Sequence, residues 1–101
     1  MSILQLSGKL AMGLEINELR KGLRALLDQK RRTLVDLGEI TGIDSTGIGV
    51  LVEAHALAVG SGGALRLCNL SPAMSTQVSR LSLDRILQIY ETDTAALAGW
   101  I

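Results

Sequence analysis

The stretch from residue 33 to residue 60, TLVDLGEITGIDSTGIGVLVEAHALAVG, constrains the fold more than any other part of the chain. Its first five residues form an apolar run of strand length. Residues 38–42 contain two glycines and predict a loop that ends this strand. A short apolar run that is broken in this way is typical of a buried strand in an α/β sheet.

The second half of this stretch predicts a helix. Asp44, Ser45 and Thr46 carry side chains that can accept hydrogen bonds from free backbone N–H groups, and an apolar run follows them. We therefore expect a helix that begins at or next to Ser45 and that Gly60 ends. Because α/β folds carry functional groups where a strand passes into a helix, Ser45 is the centre of the predicted site.

The remaining segments alternate between strand and helix patterns. Strands are predicted at residues 2–7, 64–70 and 83–90, and helices at 14–29, at 72–81 after the cap Ser71, and after a cap at Thr92 or Asp93. This alternation predicts an α/β fold with a mixed, mostly parallel sheet of about four strands and with helices packed on it. At 101 residues, the chain is expected to be one domain over residues 1–101.

Composition narrows the classes of partner. Tyr90 and Trp100 are the only aromatic residues, which disfavours recognition of single-stranded nucleic acid by stacking. The single cysteine, Cys68, lies in an apolar strand pattern and is expected to be an inert buried thiol. With no basic leader and no segment as long as a membrane span, we expect a cytoplasmic protein without a membrane partner.

Charge is unevenly distributed along the chain. Residues 1–32 hold seven Lys or Arg against three Asp or Glu, a net charge of +4, and residues 33–101 hold three against seven, a net charge of −4. The surface around Ser45 is therefore expected to be acidic and to suit a basic protein better than nucleic acid. The basic run at 30–32 is interpreted as the favourable end of a helix rather than as a nucleic-acid patch.

The residues do not support an enzyme. Residues 42–47 fit the opening of a phosphate-binding loop, but Ile48 and Gly49 stand where its lysine and hydroxyl residue belong. His55, the only histidine, is ten positions beyond Ser45, about 15 Å along the same helix, and cannot serve as its base. We therefore expect no catalytic residue, no cofactor and no metal, and a partly exposed structural role for His55.

The residues alone leave two interpretations of Ser45 open. In the first, the hydroxyl is phosphorylated by another protein, and the added charge acts on binding. In the second, residues 44–46 only cap the helix while the glycines permit close packing. The surface that would meet a partner comprises, besides Ser45, the residues Asp36, Gly42, Asp44, Thr46, Gly47, Ile48 and Gly49.

Several motifs between residues 6 and 97 resemble the STAS domain, and within it the bacterial anti-sigma-factor antagonists. These motifs are GKL at residue 8, LVDLGEITGIDSTGIGVLV, LRLCNLSP and LDRILQIY. The resemblance implies that Ser45 is the phosphorylation site and that the unphosphorylated form binds an anti-sigma factor with serine kinase activity, which releases its sigma factor. It also implies that phosphorylation by ATP ends this binding and that a PP2C-type phosphatase restores it.

Two departures and two alternatives accompany this resemblance. The chain starts late, without the extra N-terminal strand of many relatives, so an exposed sheet edge is expected. Ser82 stands where relatives carry glycine, so the turn there is expected to use another conformation. The alternatives are a constitutive STAS scaffold in a stressosome-like or transport-associated complex, in which Ser45 only caps, and a small nucleotide-binding enzyme. A monomer is expected, with a weak dimer as the other possibility.

Overall fold

The computed structural model of the chain describes residues 2–10, 20–22, 24 and 32–100. The described strands are β1 (Ser2–Leu10), β2 (Arg32–Ile43), β3 (Ala64–Cys68) and β4 (Gln88–Tyr90). The helices with complete boundaries are α1 (Ser45–Gly60), α2 (Pro72–Arg80) and α3 (Asp93–Leu97), and a 3₁₀ turn spans Leu83–Arg85. Most of the helix predicted at 14–29 lies outside the described residues, although Arg20, Lys21, Gly22 and Arg24 are helical.

The four strands form one sheet in the order β1-β2-β3-β4, and all three neighbouring pairs are parallel. The α/β class and the number of strands predicted from the sequence are confirmed. Within the described strands the sheet contains no antiparallel pair. Because the strands run in one direction, the helix that follows β2 begins at the carboxyl edge of the sheet.

Strand β2 is longer than predicted, and the predicted loop at residues 38–42 is wrong. Between the pairs Gln5 with Asp36 and Ser7 with Glu39, β2 contains one more residue than β1, and the same occurs again between Gly8 and Lys9. The glycines therefore accompany β-bulges instead of ending the strand. Beyond Asp36, which is paired with Cys68 of β3, β2 continues alongside β1 to the start of α1.

The segment predicted as a strand at residues 83–90 forms a strand only in its last three residues. Its first part is the 3₁₀ turn, and Ser82 before it has φ 56° and ψ 24°. Ser82 thus adopts the left-handed conformation that glycine favours, and the expectation of another conformation was wrong. The strand predicted at 64–70 ends at Cys68, because Asn69 also has a positive φ, of 60°.

The helices cover both faces of the sheet. On one face, α1 and α2 pack on alternate residues of β2 and β3, and on the other, α3 packs on the residues between them. The first face contains the larger core, which includes Val35, Leu37, Leu51, Leu65, Leu67 and Met74, and the second contains Leu34, Cys68 and Ala96. In the part of the chain that the structure describes, no helix is both long and apolar enough to cross a membrane.

Candidate functional site

Asp44 fixes the start of helix α1. Its backbone is extended, with φ −113° and ψ −175°, and its Oδ1 accepts a hydrogen bond from the Gly47 N–H at 3.0 Å. Its carbonyl oxygen accepts from the Ile48 N–H, also at 3.0 Å. Asp44 is therefore the N-cap and Ser45 the first helical residue, which confirms the predicted start of this helix.

The Ser45 side chain is exposed, and no described residue forms a hydrogen bond with its hydroxyl. The cap that Ser45 could have provided comes from its neighbour Asp44. Thr46, the adjacent hydroxyl residue, is half-buried. The geometry thus distinguishes three residues of similar capping ability: the first caps, the second presents its hydroxyl to solvent, and the third is partly covered.

The next turn of α1 divides between core and surface. Gly47 is buried, and Ile48 is only 5% exposed, so the Ile48 side chain belongs to the core. Gly49 is exposed, and a Cβ atom added there would meet no atom within 4 Å. Of the residues predicted to face a partner, those with room for contact around Ser45 are therefore Asp44, Thr46 and Gly49.

Two of the residues predicted to contact a partner lie in β2. Gly42 is half-buried, pairs with Lys9 and stands two residues before Asp44, close to the site. Asp36 lies seven residues before the end of β2 and is separated from it by the two bulges. The Oδ1 of Asp36 accepts hydrogen bonds from the Gly38 N–H at 2.9 Å and from Asn69 Nδ2 at 3.1 Å. Asp36 therefore joins the first bulge of β2 to the end of β3, and its contact with a partner stays a prediction.

Cys68 and His55 have chemically versatile side chains, but each is at least partly buried in the fold. Cys68 is fully buried, and its burial, together with the carboxylates of Asp36 and Asp93, raises the pKa of its thiol from 9.0 to about 11. The protonated thiol is a poor nucleophile, as expected for an inert core cysteine. His55 is half-buried in α1, and the described residues contain no group of three or more His, Cys, Asp or Glu placed to hold a metal ion.

The sequence reasoning missed an ion pair on α1. Glu53 accepts from Arg20 Nε at 3.1 Å and from an Arg24 Nη atom at 3.0 Å, which fastens the preceding helical residues to α1. The spacing of the two arginines, four residues apart on one helical face, is the signal that could have suggested it. All three side chains are at least one-third exposed, so these two ion pairs contribute little to the stability of the fold.

Comparisons with known proteins support the fold described above. Residues 1–89 match the family model STAS_2, described as "Mlab, STAS domain". The structure is similar to that of a candidate anti-sigma-factor antagonist from Thermotoga maritima, with a TM-score of 0.86 and 25% identity over 95% of this chain and 83% of that one. No curated protein sequence gives a significant match.

Three further solved structures share the fold at lower identity. The unphosphorylated form of the anti-sigma-factor antagonist SpoIIAA has a TM-score of 0.72 and 16% identity, covering 96% of this chain and 86% of that one. SpoIIAA from Bacillus has also been solved in its phosphorylated form. A sulfate transporter family protein from Wolinella succinogenes has a TM-score of 0.76 and 20% identity, covering 96% of this chain and 81% of that one.

Proposed function

The chain belongs to the STAS domain family, and on that premise we propose that it is an anti-sigma-factor antagonist controlled by phosphorylation of Ser45. The unphosphorylated form binds an anti-sigma factor with serine kinase activity, and the sigma factor held by that protein is released. Transfer of phosphate from ATP to the Ser45 hydroxyl ends the binding, and a PP2C-type phosphatase restores it.

The observation that carries this proposal is that Asp44 caps α1 while the adjacent Ser45 is exposed. Because Asp44 Oδ1 caps α1, the fold does not need the Ser45 hydroxyl, which lies exposed at the first helical position. A hydroxyl that is accessible and structurally dispensable suits modification by another protein. The open space around Gly49, one turn further on, leaves room for the kinase to approach.

The phosphorylated form is expected to keep its fold. A phosphate at position 45 carries about −1.5 to −2 charges and lies at the N-terminus of a 16-residue helix, where the helix dipole and free N–H groups favour an anion. Among the described residues, the neighbouring carboxylate of Asp44 would repel this phosphate, but Asp44 remains partly in contact with solvent. The charge therefore acts on association with the partner rather than on folding.

In the complex the same charge is unfavourable. A dianion enclosed in an interface beside Asp44, without a cation to pair with it, costs about 2 to 5 kcal/mol. This corresponds to a loss of affinity of roughly thirty- to several-thousand-fold. Such a range is sufficient for a switch, because it separates a bound from an unbound partner at one protein concentration.

Incubation of the purified chain with its cognate anti-sigma kinase and ATP tests the proposal. Mass spectrometry is expected to find one phosphate, on Ser45, in the wild type and in Thr46→Ala, and none in Ser45→Ala. The Thr46→Ala variant is the control for the adjacent hydroxyl. Phosphate on Thr46, or no phosphate on a chain that binds the kinase, would overturn the proposal.

The likeness to a sulfate transporter family protein favours a second candidate function. In it the domain is a constitutive scaffold in a stressosome-like or transport-associated complex, and Ser45 is not modified. A binding assay with the purified partner separates the two functions. A switch requires Ser45→Ala to bind and Ser45→Asp to bind much more weakly, whereas a scaffold binds both variants equally well.

A further inference from the structure

A groove lies between α2 and β4, at the edge of the sheet opposite β1. It consists of two adjoining cavities of about 490 Å³ and 350 Å³, both lined by Leu70, Ser75, Ile89 and Tyr90. We call this feature the α2–β4 groove. Its volume is in the range of cavities that hold small ligands or peptide side chains.

The groove has an apolar floor, and two exposed apolar residues lie near its lining residues in sequence. Val78 and Leu87, each 4% exposed, belong to the core and form part of the lining. Leu81 follows α2 and is 57% exposed, and Ile86 precedes Leu87 and is 52% exposed. The core side chains in the lining therefore offer an apolar surface to an occupant.

Strand β4 contributes backbone N–H and C=O groups along the groove that pair with no other described strand. Within the described residues β4 pairs with β3 alone, so its other edge is open. The edge of a sheet presents N–H and C=O groups to which an extended peptide can add as a further strand. An apolar cavity beside an open strand edge fits a peptide better than a compact ligand, since a peptide uses both features.

The charged residues of the lining define the chemistry of the occupant. Asp84 lines the larger cavity and Glu91 the smaller, so both charged side chains in the groove are acidic. Arg80 lines a separate cavity on the other side of Ser75 and Ser79, and Arg85 lines neither cavity of the groove. The groove therefore complements a peptide that carries a basic side chain.

We propose that the α2–β4 groove binds an extended peptide segment of a partner protein. The segment lies beside β4, places an apolar side chain in the cavity and directs a Lys or Arg side chain towards Asp84. This surface is two strands away from the β2–α1 junction that carries Ser45. Binding there is independent of the state of Ser45, so the proposal does not depend on the function proposed above.

A displayed library of random peptides, selected against the full chain, supplies the probe. The enriched peptides are expected to share an apolar residue and a Lys or Arg. Their amide-detected NMR footprint on the protein is expected to include β4 and α2. A library that yields no enriched peptide, or peptides whose footprint lies elsewhere, would overturn the proposal.

A matched pair of variants on α2 tests the position of the site. Ser75 is exposed and lines both cavities, so Ser75→Trp fills the groove and is expected to weaken binding of the selected peptides by about tenfold or more. Ala73 is exposed on the same helix and lines neither cavity, so Ala73→Trp is expected to bind as the wild type does. Equal binding by Ser75→Trp and wild type would contradict the proposal.

A charge reversal tests the proposed chemistry, and a Ser45 variant tests independence. Asp84 is exposed, so Asp84→Lys leaves the core intact and is expected to weaken binding of the basic peptides. Ser45→Asp is expected to leave it unchanged. Thermal unfolding of each variant verifies that the fold is retained. Peptides that bind equally well to Asp84→Lys, or that Ser45→Asp releases, would show that another surface holds them.

Discussion

At the scale of single residues, the adjacent Asp44 and Ser45 have different roles although both could cap α1. The carboxylate of Asp44 accepts from the Gly47 N–H, and the Ser45 hydroxyl is left exposed. A hydroxyl at the first helical position can be replaced or modified with little effect on the backbone around it. Capping of α1 therefore depends on Asp44, whereas the regulation proposed above depends on Ser45, so mutation can separate the two.

Asp44→Ala is expected to lower the free energy of unfolding by about 1 kcal/mol, because it removes the cap of a 16-residue helix. Ser45→Ala is its matched control and is expected to change that free energy by less than about 0.5 kcal/mol. Urea denaturation followed by circular dichroism measures both. An equal loss for the two variants would contradict the assignment of the cap to Asp44 alone.

Cys68 predicts a pH dependence of stability. Burial and two nearby carboxylates raise the pKa of its thiol from 9.0 to about 11, so the folded chain holds this proton more tightly than the unfolded chain. The resulting stabilisation is complete below about pH 9 and is lost between about pH 9 and pH 11, at about 1.4 kcal/mol for each pH unit. In Cys68→Ala, which lacks the thiol, denaturation measured at about pH 8 and pH 10 is expected to show a smaller decline. Equal declines in both proteins would contradict this assignment.

At the scale of elements, those with local signals could be predicted from the sequence. Ser71 Oγ accepts from the Met74 N–H at 3.2 Å, and Thr92 Oγ1 accepts from the Ala95 N–H at 3.1 Å, so both predicted caps are confirmed. Each cap depends on residues within three positions of one another. The helix start that carries the candidate site could be predicted for the same reason, because Asp44 and Ser45 mark it in the sequence.

The errors occur where the residue types of a segment do not by themselves decide its structure. Residues 38–42 have the composition of a loop, but pairing with β1 holds them in an extended strand with two bulges. Ser82 adopts the left-handed conformation although a serine favours it less than a glycine does, because the chain must turn between α2 and the 3₁₀ segment. The composition of residues 38–42 does not reveal their pairing with β1, and a serine at position 82 does not indicate a left-handed conformation.

Gly38 is expected to be required at the first bulge. A Cβ added there would lie 3.1 Å from Asp36 Oδ1 and 3.4 Å from Asn69 Cβ. Because two hydrogen bonds hold that Oδ1, it cannot move away without cost, and Gly38→Ala is expected to lose about 1 kcal/mol of stability.

Gly60→Ala is the matched control for Gly38→Ala. A Cβ at Gly60 would meet no atom within 4 Å, so this variant is expected to keep or slightly raise the stability of the wild type. Thermal unfolding of the two variants side by side measures the difference. If Gly38→Ala proved as stable as Gly60→Ala, the close contact around Asp36 would not be a constraint.

At the scale of the whole molecule, the sheet separates two surfaces. The β2–α1 junction with Ser45 follows the second strand of the sheet, and the α2–β4 groove lies at the fourth. A phosphate at Ser45 would therefore act locally, by direct contact with whatever covers the start of α1. Under the two proposals made above, one partner would stay bound at β4 while another is exchanged at Ser45, with no change of fold to transmit between them.

If a partner covers the start of α1, a bulky side chain at Gly49 must interfere with it. A side chain there has open space in the free protein, and glycine is unfavourable in a helix by about 1 kcal/mol relative to alanine, so Gly49→Gln is expected to fold at least as stably as the wild type. Its affinity for the anti-sigma partner is nevertheless expected to fall by about tenfold or more. Ala56→Gln is the control, because Ala56 is exposed on nearly the same face of α1 but two turns, about 10 Å, further along. Isothermal titration calorimetry compares the two variants. A partner that binds Gly49→Gln as tightly as the wild type would have its interface elsewhere, whereas loss of binding in both variants would extend the interface along the whole helix.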